Sequence, residues 1–71
     1  MEREQIENWF THHPPKDMTA INAYHAIREA GKAFAYTILE HAPAGADQTA
    51  AIRKVREAVM TANAAIACEG K

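Results

Sequence analysis

Seven consecutive residues, Trp9-Phe10-Thr11-His12-His13-Pro14-Pro15, bring together two aromatic rings, two imidazoles and two prolines. Aromatic and imidazole faces stack on nucleobases, and prolines hold such a strip in place at little entropic cost. The same residues suit a plainer role, in which Trp9 and Phe10 pin an N-terminal flap and His12 and His13 are polar loop residues. A second set is cationic. Arg28 and Lys32 stand one helical turn apart, next to Glu29, and Arg53, Lys54 and Arg56 form the one basic cluster. Arg53 and Arg56 are i, i+3 neighbours, each able to fork two donors onto phosphate oxygens, and a symmetric oligomer would multiply that pair around its axis. Solvated helix sides, with Glu57 partly neutralising the second, are the alternative for both cation pairs.

Other chemistry is poorly supplied. His12, His13, His25, His41 and Cys68 show no CxxC, HxxxH or HExxH spacing, so no metal site is expected. The chain has no serine, no paired carboxylates in an apolar setting and no glycine-rich phosphate loop, since Gly31, Gly45 and Gly70 are isolated. No catalytic residue and no cofactor is expected. The net charge of −1 argues against broad binding to duplex DNA, which normally requires a basic stripe.

The elements that must position these residues are helical. Ile6, Trp9 and Phe10 share one face of a short helix over residues 2–10, which His13-Pro14-Pro15 stops. Asp17 can cap a second helix running to Glu40, in which Ala20, Tyr24, Ile27, Gly31, Phe34 and Ile38 step by 4, 3, 4, 3 and 4. After the break His41–Ala46, Asp47 restarts a third helix, in which Ile52, Val55, Val59, Ala62 and Ile66 repeat the same stepping. A short Pro/Gly turn between two long helices makes them antiparallel. The expected fold is therefore all-α, one domain over residues 1–71: an N-terminal helix and Pro-rich flap (1–16), then a long antiparallel hairpin (17–40 and 47–68).

Of 34 hydrophobic residues, 16 are alanine, which leaves 18 larger side chains to fill a core. Chains below roughly 70–80 residues usually need a staple, and a lone cysteine supplies no intramolecular disulfide. Self-association is the most economical staple, and Ala51, Ala58 and Ala65, left over at sevenfold spacing, are a candidate subunit contact. Asn63, among alanines, is a candidate for a hydrogen bond across such a contact. The N-terminal stretch MEREQIENWF has the pattern of neither a signal peptide nor a membrane anchor, so a soluble intracellular protein is expected.

With these residues in view, the sequence resembles the phage anti-CBASS cyclic-oligonucleotide sponges, whose hairpin domain is shared with a Thoeris anti-defence sponge. The resemblance runs through Asn8–Pro15, Tyr24, Ala26–Ala35, Ala46–Met60 and Thr61–Ala67, nearly the whole chain. It implies a helical-hairpin homohexamer in the cytoplasm of an infected bacterium, binding cyclic dinucleotides and cyclic trinucleotides without cleaving them and without DNA or membrane partners. By resemblance, the strip Trp9, Phe10, His12, His13 and Pro14 stacks bases, with His12 where a tyrosine often stands in the family. Arg28 or Lys32 then serves dinucleotide phosphates, and Arg53 or Arg56 serves a trinucleotide at subunit junctions. The alternative is a structural or protein-binding hairpin that docks on a host protein as a small phage regulator.

Overall fold

The computed structural model describes residues 1–71 as three helices with no strands: α1 (Arg3–Trp9), α2 (Met18–His41) and α3 (Ala46–Ala67). Asp17 is extended and its Oδ1 accepts a hydrogen bond from the Ala20 amide at 3.0 Å, so the cap expected from the sequence starts α2. The other helix start differs from expectation. α3 begins at Ala46 with Gly45 as its cap, not at Asp47. Gly45 takes φ 153°, ψ −170°, a conformation essentially reserved for glycine, and this swings the chain into the helix one residue early. Asp47 then lies in the first turn, where its charge complements the helix dipole.

Only residues 42–45 separate α2 from α3, and the two helices, about 36 Å and 33 Å long, run back antiparallel. Gln48 ties the turn by donating from Nε2 to the carbonyls of Leu39 (3.3 Å) and Ala42 (3.0 Å), two groups at the end of α2. Along the seam, Ala20, Tyr24, Ile27, Gly31 and Ile38 of α2 meet Ile52, Val55, Val59, Ala62 and Ile66 of α3, and all are half-buried. Gly31 is there for proximity: a Cβ on it would come within 2.4 Å of Val59 Cγ2. Phe34 departs from the expected seam, since it remains 59% exposed at the seam's edge. A stepping that averages 3.5 residues drifts round a helix of 3.6 residues per turn, and Phe34 falls on the outer side of that drift.

One layer of helices encloses almost nothing. Cys68 is the one buried residue, and the molecule measures 44 × 30 × 15 Å with a radius of gyration of 15.0 Å, against about 11 Å for a compact chain of this length. Its accessible surface is 5855 Å², whereas a folded monomer of this mass exposes roughly 4,400 Å². No helix is long and apolar enough to cross a membrane.

Candidate functional site

The hairpin's two flanks differ in chemistry. One flank is an apolar groove of about 560 Å³ lined by Ile27, Ala30, Gly31, Phe34 and Ile38 from α2 and Ala51, Val55, Ala58, Val59 and Ala62 from α3, with Lys54 at its border. The opposite flank is a smaller groove of about 240 Å³, in which Lys32 and Ala35 of α2 face Ile52, Arg56 and Met60 of α3. Gly31, Val55 and Val59 line both grooves and form the thin wall between them.

Lys32 and Arg56 thus converge from different helices, a pairing that spacing along the chain did not reveal. Arg28 precedes Lys32 by one turn, and Tyr24 precedes Arg28 by another, so the three make a ridge on α2 with roughly 6 Å of rise between neighbours. Arg53 likewise stands one turn before Arg56, and Arg28, Arg53 and Arg56 are all exposed. No ion pair neutralises these cations; the molecule's ion pair is Lys16 with Glu69.

The aromatic and proline strip is divided between two places. Trp9 turns to the outer side of α3, where it shares a groove of about 690 Å³ with Met60, Thr61, Ala64 and Ala65, and its Nε1 donates to the Lys71 carbonyl at 3.3 Å. Ala65 therefore faces α1, and the sevenfold alanine face expected from the sequence is split: Ala51 and Ala58 line the apolar flank, and Ala65 lies beneath Trp9. His13 and Pro14 lie at the open end of the hairpin in a groove of about 490 Å³, with Pro15, Lys16, Thr19, Tyr24, Ile66 and Glu69. Phe10, 83% exposed, and His12 project from the connecting segment. Phe10 consequently pins nothing, while Trp9 does.

Tyr24 and Lys16 are residues of this region that the sequence reading did not assign to a site. Tyr24 fits the seam stepping and so reads as core, yet its position at the seam's end leaves its ring on the groove. Lys16 carried a signal that went unused: it is the cation nearest in sequence to the strip. At the hairpin's open end, the wall of His13, Pro14 and Tyr24 supplies apolar and aromatic faces, and Lys16 supplies a charge that Glu69 already holds. The titratable histidines and acids form no group of three able to hold a metal ion.

Asn63 is half-buried, and its side-chain oxygen is enclosed without a hydrogen-bond partner. A buried acceptor left unpaired is costly, and one more donor at this position would remove the cost.

Comparison with curated proteins and with solved structures returns no match. The model of one protein family, described as the Acb2/Tad1 hairpin domain, matches residues 2–67, which takes in α1, the flap and both long helices. The chain belongs to the Acb2/Tad1 hairpin-domain family.

Proposed function

We propose that this chain binds the cyclic di- and trinucleotide alarm signals of bacterial immunity and withholds them uncleaved from their effectors, in the cytoplasm of an infected host. The observation that carries the reading is the family match over 66 of 71 residues. That family suggests an anti-defence sponge, a type of protein not known as an enzyme.

The geometry supports it in three ways. The groove at the open end offers His13, Pro14 and the Tyr24 ring to a base, and its volume of about 490 Å³ is within the range of small-molecule sites. The ridge Tyr24, Arg28, Lys32 leads from that groove to the facing Arg56, supplying guanidinium and ammonium donors for phosphates. The flap offers exposed Phe10 and His12 as further stacking faces. Because Lys32 and Arg56 line one groove, we assign both to phosphates of either ligand class, with Arg28 and Arg53 flanking them one turn away. Trp9 fixes the flap instead of stacking on the ligand.

Self-association belongs to the same proposal. The protomer exposes about 1,500 Å² more than a compact monomer of its mass, about twice what one partner contributes to a standard protein interface. Burial of the apolar flank around Phe34, Ala51 and Ala58 against further copies would remove part of that excess, and a homohexamer is the assembly expected from the family resemblance.

A thermal-shift screen with cyclic dinucleotides and trinucleotides tests the reading. A ligand at 100 times its dissociation constant adds about 2.7 kcal/mol, which for a domain this small is a rise of roughly 10 °C or more. A hairpin that docks on a host protein would show no shift with any of them.

A further inference from the structure

We propose that the C-terminal turn Cys68–Lys71 is the clasp that sets the position of α1 and the flap, with Glu69 as its positioning residue. The role in ligand capture rests on the reading above, but the clasp itself does not. α1 has little packing to hold it, because α2 with α3 is the one extensive helix pair in the molecule. Besides Trp9 over Ala65, polar contacts hold it. The Asn8 carbonyl, at the end of α1, accepts from the Cys68 thiol at 3.7 Å and from His13 Nε2 at 2.6 Å. A carbonyl only accepts, so His13 carries its hydrogen on Nε2. The Trp9 indole donates to Lys71, and Lys16, just beyond the prolines, pairs with Glu69.

Glu69 does this from an unfavourable backbone. α3 ends in a Schellman turn, with Gly70 N–H bonded to the Ala65 carbonyl (2.9 Å) and Glu69 N–H to the Ile66 carbonyl (3.2 Å). The left-handed residue of that turn is ordinarily glycine, yet here it is Glu69 at φ 55°, the molecule's one non-glycine residue with positive φ. Nothing in the helix end requires a side chain at that position. The side chain serves the flap: it meets Lys16 on the rim of the groove that His13 and Pro14 line. The turn thus gives up local stability, and its carboxylate fixes where the stacking residues stand.

A structural residue and a positioning residue differ in sign here. Glu69→Gly relieves the left-handed backbone, so the melting temperature of the free protein should rise by a few degrees. The same change removes an exposed ion pair worth about two- to fivefold in an equilibrium, so hydrogen exchange of the α1 amides from Ile6 to Phe10 should quicken by that factor while α3 exchange does not. Lys16→Glu should quicken α1 exchange likewise, and Lys16→Glu combined with Glu69→Lys should restore it. A chain ending at Cys68 should lose α1 protection by tenfold or more and shift Trp9 emission to the red. Unchanged α1 exchange in Glu69→Gly, or no rescue by the charge swap, overturns the clasp. Titration with a cyclic dinucleotide is the second arm, where Glu69→Gly should weaken binding about two- to fivefold. Faster α1 exchange with unchanged affinity supports the clasp and contradicts the flap's part in ligand binding, which separates the two claims.

Discussion

The two flanks of the hairpin are built from the same two helices and separated by one wall, yet they ask for opposite environments. On one, Phe34 stands 59% exposed over Ala30, Ala51 and Ala58, and water is a poor neighbour for it. On the other, Lys32 and Arg56 sit over Ala35 and Val59, and their charged ends need water or an anion. The difference teaches how, on the proposed reading, 71 residues without a closed core could serve a purpose: association would take the apolar flank, and the basic flank would remain for a phosphate.

The largest expected effect comes from breaking the apolar flank. Phe34→Asp removes about 1.5–3 kcal/mol of burial per protomer and adds a charge that pays heavily for desolvation. Sedimentation should show the assembly replaced by a 7.8 kDa species with a sharply lower melting temperature. An unaltered assembly would remove this flank from the account.

On the basic flank, Lys32→Ala and Arg56→Ala should each cost about 1.5–3 kcal/mol in cyclic-nucleotide binding, roughly ten- to hundredfold by calorimetry, with the oligomer intact. Both should flatten the salt dependence of binding. If Lys32→Ala affects dinucleotides alone and Arg56→Ala trinucleotides alone, the shared groove gives way to two separate sites.

The wall tests whether the flanks are coupled. Gly31→Ala gains about 1 kcal/mol in helix propensity, but its new methyl meets Val59, and such overpacking costs about 1–3 kcal/mol. A net loss of about 1 kcal/mol in thermal denaturation is expected, with recovery in Gly31→Ala combined with Val59→Ala. Smallest is Asp17→Ala, which removes the α2 cap far from both flanks. It should lower stability by about 1 kcal/mol and leave assembly unchanged.

How much of this was legible in the sequence varies with the range of the interaction. The 3–4 stepping marked Ile27, Gly31, Ile38, Val55, Val59 and Ile66 because a helix repeats its face locally, and the Asp17 cap is a three-residue signal. Phe34 misled because an idealised repeat ignores drift round the helix. Lys32 meeting Arg56 depends on hairpin register, which the Gly45 and Gln48 geometry sets and no spacing states. Asn8 with Cys68, and Trp9 with Lys71, join residues 60 and 62 apart through single hydrogen bonds, which leave no periodic trace. The split of Trp9 from His13 and Pro14 was hidden for the same reason.

The central claim, capture without cleavage, is tested most directly by titrating the intact protein with a cyclic dinucleotide, heat-denaturing the complex and separating the released nucleotide by chromatography. The account predicts saturable heat at a fixed ratio of ligand to protomer and full recovery of the cyclic form, however long the complex stands. Absence of binding, or linear products that increase with protein and time, would contradict it.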